Sequence, residues 1–215
     1  MTWYEALLLG LLQGIGEFLP ISSSGHLELA EWLLKVENSD DKRFAVAVHV
    51  ATALATILTF NQSILALLRG LLEFKRNDSL RYALLLALSM VPILVAGLLF
   101  KDEIDHLFAG QIVLVGCMFL LTAGLIVLAE KFTWKQSRPL TPLRALVIGL
   151  AQTVAILPGL SRSGTTITTA LLLGIDRSEA ARFSFLMVLV PILGAGLLEA
   201  KDVLEEPASS PISLE

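Results

Sequence analysis

Residues 44–68 run without a single Asp, Glu, Lys or Arg, and so do residues 82–100, 107–129, 145–161 and 183–198. A helix needs roughly 17–25 apolar residues to cross the hydrocarbon core of a bilayer. Three of these blocks are long enough, the block at 145–161 is marginal, and the block at 183–198 is short. Backbone polar groups in lipid must be satisfied within the segment, which makes spans of this kind helical. The expectation is an all-α, multi-pass membrane protein. Composition agrees: 55% of the residues are hydrophobic and 17% charged, whereas a soluble domain carries about 45–50% and about 25%.

Charge and cysteine content exclude several classes of function. A net charge of −4 leaves no basic tract to neutralise a phosphate backbone, so no nucleic-acid partner is expected. The lone Cys117 excludes an internal disulfide and a thiolate metal cluster; within Val115-Gly116-Cys117-Met118 it reads as membrane-buried packing. The N-terminus lacks a basic stretch followed by a small-residue cleavage site, so no signal peptide is expected.

The connections between blocks set an orientation. Arg69, Lys75, Arg76 and Arg81 outweigh Glu73 and Asp78 in one connection, and Lys131, Lys135, Arg138 and Arg144 outweigh Glu130 in another, whereas residues 101–105 are mainly acidic. The positive-inside rule places the first two in the cytoplasm and the third outside. Residues 44–68 then run inward, 82–100 outward and 110–129 inward.

Two apolar regions fit no simple span. Residues 3–34 are interrupted at Pro20 and Ser22-Ser23-Ser24-Gly25, and residues 143–174 at Pro158-Gly159 and Ser161-Arg162-Ser163-Gly164. Pro and Gly end helices, the first by lacking an N–H and the second by tolerating turn dihedrals. Each half is then too short to cross alone. Irregular backbone at membrane depth persists only against protein or a water-filled cavity, so both regions are expected to be re-entrant helix hairpins.

The two regions also repeat each other. Gly10-Leu11-x-Gln13 recurs as Gly149-Leu150-x-Gln152, Leu19-Pro20 as Leu157-Pro158, Ser22-x-Ser24-Gly25 as Ser161-x-Ser163-Gly164, and Phe44 as Phe183, at an offset constant to within one residue. The intervening spans invert the second copy relative to the first. One membrane domain over residues 1–215 is expected, with repeat one at about 1–138 and repeat two at about 139–215. Inverted repeats with broken helices place a site near the midplane, with helix N-termini pointing at it.

The interruptions carry the chemistry. Gln13 and Glu17 lie four apart, on one helical face directed at the first turn. Ser22, Ser23, Ser24 and Gly25 then open a helix, and unpaired N–H groups at such an N-terminus bind anions. Ser161, Ser163 and Gly164 repeat that geometry, with Arg162 adding a guanidinium suited to bidentate phosphate contacts. A charge at membrane depth costs at least about 2.5–3.5 kcal/mol, so Glu17, His26 and Arg162 together point to phosphoryl transfer. Glu17 is a metal ligand or a base. Ser23 or His26 is the nucleophile, or His26 moves the proton. Taken singly, these residues have plainer readings: a snorkelling Glu17, a helix cap at Ser22 to Ser24, an interfacial anchor at Arg162. Their clustering at matched repeat positions weakens those readings. His49 reads as an interior hydrogen-bond partner, and Asp176, Arg177, Glu179 and Arg182 as solvated charges.

The run Gln13-Gly-Ile-Gly-Glu17-Phe-Leu-Pro-Ile-Ser-Ser-Ser-Gly-His26 and the run Leu157-Pro-Gly-Leu-Ser161-Arg162-Ser163-Gly164-Thr165-Thr166-Ile167 resemble the two signatures of the undecaprenyl-diphosphate phosphatase family, the bacitracin-resistance type of bacterial membrane enzyme. The resemblance implies hydrolysis of a polyprenyl diphosphate lipid to the monophosphate with a divalent cation, magnesium or calcium. It implies a bacterial inner-membrane location, a site on the periplasmic face, and functional positions at Glu17, Ser23, His26, Ser161, Arg162 and Thr166. Gln13 stands where many relatives carry a second Glu, and it cannot serve as a charged ligand or base. Relatives run further, with two more spans closing the second repeat. That difference leaves open a fragment, an inactive product or a chain that completes its fold as a homodimer. The alternative from another class is a transporter or flippase of a phosphorylated lipid.

Overall fold

In the computed structural model the described residues are 2–34, 42–73, 75–100, 111–131 and 137–205. Among them the chain forms nine α-helices and no strand: α1 (Trp3–Phe18), α2 (Ser23–Leu34), α3 (Lys42–Thr59), α4 (Asn61–Leu72), α5 (Asp78–Leu99), α6 (Ile112–Lys131), α7 (Pro142–Val154), α8 (Arg162–Leu172) and α9 (Arg177–Glu205). Local sequence sets several of the boundaries. Thr2 and Glu5 form a capping box at the start of α1. Asn77 accepts from the Leu80 amide, and Thr141 accepts from the Arg144 amide with Pro142 behind it. Such caps satisfy donors that the first helical turn leaves free.

Both interrupted regions break where the sequence places the breaks. α1 ends at Phe18 and α2 begins at Ser23; α7 ends at Val154 and α8 begins at Arg162. Within each pair the helices pack on one another, α1 with α2 and α7 with α8.

One expectation needs correction. Residues 44–68 are not a straight span: Val50–Thr59 and Asn61–Leu72 meet at a bend of 78°. The Asn61 side chain donates to the Leu58 carbonyl at 2.7 Å, supplying locally a partner that a continuous helix would supply from its backbone. Phe60 at the bend stacks on Phe185 of α9, with ring centroids 5.3 Å apart. α4 thereby turns to lie against α5.

The core gathers around the second half of the chain. Leu85, Leu86 and Met90 of α5 meet Ala145 and Ile148 of α7, Ala170 of α8, and Phe183, Leu186 and Met187 of α9. The α5–α7 approach is close because Gly149 faces the Ser89 backbone: a Cβ there would lie 2.8 Å from the Ser89 carbonyl carbon. α9 also packs along α3, through Ala53, Val188 and Ile192.

The outer surface is apolar. Leu98, Val113 and Leu120 expose 82%, 83% and 76% of their area, and α5 and α6 are each long and apolar enough to cross a membrane. Apolar area on this scale suits a lipid surrounding. Cys117 is exposed on α6, where it faces whatever surrounds the helix rather than the described residues, in keeping with its apolar setting. Arg182 is also less solvated than the sequence suggested: its guanidinium sits 4.6 Å from the centre of the Tyr82 ring and pairs with Glu179 at 3.6 Å. The side chain of His49, residues 101–105 and residues 206–215 lie outside the description.

Candidate active site

The tips of the two helix pairs touch. Gly25 of the first lies so near the second that a Cβ on it would stand 2.7 Å from the Gly159 Cα and 2.8 Å from the Phe119 ring of α6. A Cβ on Gly164 would lie 3.3 Å from the Pro20 carbonyl oxygen. Gly159 itself adopts a φ of +87°, a conformation glycine takes without steric cost.

The two turns share one hydrogen-bond pattern. Ser22 Oγ accepts from the Gly25 amide at 3.4 Å and lies 3.5 Å from Ser24 Oγ. Ser161 Oγ accepts from the Gly164 amide at 3.0 Å and lies 3.4 Å from Ser163 Oγ. Each first serine caps its helix, leaving the next residues at the open N-terminus. In backbone the turns differ. Ser22 has a φ of 67°, the left-handed region that a non-glycine residue enters at a cost, whereas Ser161 has a φ of −65°. The second turn is tied down from outside, because its Ser161 amide donates to Thr122 Oγ1 of α6 at 3.0 Å.

Between the tips lies a cavity of about 400 Å³, within the usual range for small-ligand sites. Glu17, Ser23 and Arg162 open on it, as do Gln13, Ser22, Ser24, Ser161 and Ser163. Glu17 Oε2 accepts from Ser23 Oγ at 2.7 Å and from Gln13 Nε2 at 3.0 Å. That approach depends on Gly16, where a Cβ would come 3.0 Å from the Ser23 Cα. Arg162 has no ion-pair partner among the described residues. A hydroxyl held on a carboxylate, in one cavity with a guanidinium, is an arrangement that can serve as a nucleophile–base pair with an anion clamp.

The remaining predicted residues sit behind this surface. His26 is half-buried; its Nδ1 donates to the Ser22 carbonyl at 2.8 Å, and its ring lies 4.7 Å from that of Phe119. A carbonyl only accepts, so Nδ1 carries the hydrogen. Thr166 is fully buried. Its hydroxyl engages the Arg162 carbonyl at 2.8 Å and Ser184 Oγ at 2.5 Å, which steadies the first turn of α8. Gly25 and Gly164 contribute close backbone approach.

Residues that the sequence reading did not single out for the site are Thr52, Ile93, Ile156, Pro191 and Ile192, which line the cavity, and Thr122 and Ser184, which hold the second turn. The hydroxyls stand out as polar atoms in apolar helices; the aliphatic walls carry no comparable signal. Gln152 also lines the cavity, and its signal was its repeat match to Gln13. Among the described residues no three His, Cys, Asp or Glu side chains cluster. Besides hydroxyls, the side-chain oxygens of the lining residues are the Glu17 carboxylate and Gln13 Oε1 and Gln152 Oε1, both buried and without a partner among the described residues. Such hard donors suit magnesium or calcium shared with a ligand's own phosphates.

The model of the family described as bacitracin resistance protein BacA matches residues 6–213. An undecaprenyl-diphosphatase of Bacteroides fragilis is 44% identical over 208 residues, which cover 97% of this chain and 78% of that protein. Another from Bacteroides thetaiotaomicron is 44% identical over 200 residues, 93% and 76% of the two chains. One from Alcanivorax borkumensis is 41% identical over 213 residues, 96% and 79%.

Proposed function

The chain belongs to the bacitracin resistance protein family, and we propose that the cavity between its two turns is where a lipid diphosphate loses its terminal phosphate, with Ser23 as nucleophile and Glu17 as its base. The chain hydrolyses undecaprenyl diphosphate to undecaprenyl phosphate and inorganic phosphate. That reaction returns the lipid carrier to cell-wall synthesis. It also removes the diphosphate that bacitracin sequesters.

The hydrogen bond of 2.7 Å between Ser23 and Glu17 carries the assignment of roles. Ser23 Oγ attacks the terminal phosphorus and its proton passes to Glu17. The bond from phosphorus to the bridging oxygen breaks, and undecaprenyl phosphate leaves with that oxygen. Water then attacks the phosphoserine, Glu17 returns the proton to Ser23, and inorganic phosphate departs as the dihydrogen anion carrying both protons of the water. Arg162 and the open amides of α2 and α8 hold the phosphate oxygens as charge shifts among them. His26, turned onto the Ser22 carbonyl, fixes the first turn. A divalent cation held by Glu17 and Gln13 would neutralise part of the diphosphate charge.

The two helix pairs act as re-entrant hairpins of an inverted repeat, meeting inside the bacterial inner membrane. Their matched serine patterns, short helices and apolar surroundings support this arrangement. It lets the prenyl chain stay in lipid while the diphosphate enters the polar cavity.

The test is rapid quenching of the purified chain with undecaprenyl diphosphate and magnesium or calcium. A phosphoryl group stable to acid and labile to alkali, lost in Ser23→Ala, is expected. Glu17→Gln should lower kcat by about 10²–10⁴-fold, and a chelator should suppress turnover. An acid-labile phosphoenzyme lost in His26→Ala would reassign the nucleophile. Lipid movement between leaflets without phosphate release would overturn the hydrolase reading.

A further inference from the structure

We infer that Gln152 is a further active-site residue, whose carboxamide seats the hydrolytic water beside the phosphoryl group. The inference rests on the phosphatase reading of the cavity.

Gln152 is fully buried, lines the cavity, and has no hydrogen-bond partner for Nε2 or Oε1 among the described residues. An unpaired buried amide atom costs about 1–3 kcal/mol, so a group entering the cavity that meets both would offset that cost. The side chain's aim is not loose. α7 is pressed onto α5 at Gly149, three residues earlier, where there is no room for a Cβ; the rotation of α7 is therefore fixed.

Comparison with Gln13 sharpens the assignment. The two glutamines occupy matched repeat positions and both open on the same cavity. Gln13 commits its Nε2 to Glu17, four residues on. The residue four positions after Gln152 is Ile156, which offers nothing, so the second glutamine keeps its whole carboxamide for a ligand. An ionised phosphate accepts hydrogen bonds and cannot donate them; it satisfies Nε2 alone. Oε1 needs a cation or a species carrying hydrogens; with the cation on Glu17 and Gln13, the hydrogen-bearing species that the reaction consumes is water. A phosphate oxygen on Nε2 with a water on Oε1 places nucleophile and phosphorus side by side, the arrangement that hydrolysis requires.

The unaltered chain and Gln152→Leu are assayed in detergent with undecaprenyl diphosphate in water containing methanol, which competes with water for the phosphoryl group. The variant is expected to lose at least about tenfold in kcat with KM changed by less than about threefold. Its ratio of methyl phosphate to inorganic phosphate should rise, because water loses its seat. A purely structural role would not move that ratio. If Gln152→Leu does not fold, Gln152→Asn, which withdraws both polar atoms by one methylene, is expected to shift the ratio in the same direction. A raised KM with kcat retained would overturn the proposal in favour of phosphate or cation binding alone, and an unchanged ratio would overturn it outright. No phosphate release from the unaltered chain would overturn both readings, whereas normal release by Gln152→Leu would overturn this one only.

Discussion

Single residues decide the chemistry at the first turn, and one of them is held at a cost. Ser22 sits at a φ of 67°, where a side chain crowds the backbone. Its hydroxyl offsets that by capping α2, and its carbonyl holds His26. Ser22→Gly relieves the crowding and loses the cap; Ser22→Val loses the cap and adds a branched side chain at a strained dihedral. Ser22→Val should therefore be less stable than Ser22→Gly by about 1–3 kcal/mol, read by thermal unfolding in detergent. At this scale much was legible before any coordinates. The serines, Glu17 and Arg162 declare themselves as polar groups inside apolar runs. Which of them face the ligand was not legible, because spacing alone cannot say that His26 and Thr166 turn onto backbone carbonyls while Ser23 turns onto Glu17.

Among elements, the contact of α5 with α7 sets the position of the second half of the site. Gly149 is the point of closest approach. Gly149→Ala pushes a methyl group into the Ser89 backbone, and backbone cannot step aside as a flexible side chain can. The expected cost is about 1–3 kcal/mol, with loss of turnover larger than the stability change accounts for, because α7 carries Gln152. Assays at a temperature where the variant remains folded separate the two effects. The helix breaks at Pro20 and Pro158 were readable from Pro, Gly and Ser punctuation. The bend at Phe60 was not. Residues 44–68 contain neither proline nor glycine, and the break comes from a side-chain amide and an aromatic stack with α9 that only the fold brings together.

At the scale of the molecule, an apolar exterior encloses a polar interior that two unlike turns share. The repeat explains the division of labour. Under the proposed roles, Glu17 and Ser23 correspond in register to Ile156 and Arg162, one copy supplying base and nucleophile and the other the positive charge. Hydropathy made the lipid-facing exterior legible, whereas the pairing of the tips needed the fold. Cys117 offers a check on the exterior. As the only cysteine, exposed in the second turn of apolar α6, it should react in vesicles with a lipid-soluble maleimide and resist a charged one. Rapid labelling by the charged reagent would place that face of α6 in water.

The contact between Gly25 and Gly159 has an evolutionary consequence. Each partner is already the smallest residue available, so an enlargement of one leaves no reciprocal reduction in the other. Second-site suppressors of Gly25→Ala should then arise at Phe119, whose ring is the remaining neighbour able to shrink. Drift at this seam is constrained as a trio, with the aromatic residue as its only adjustable member.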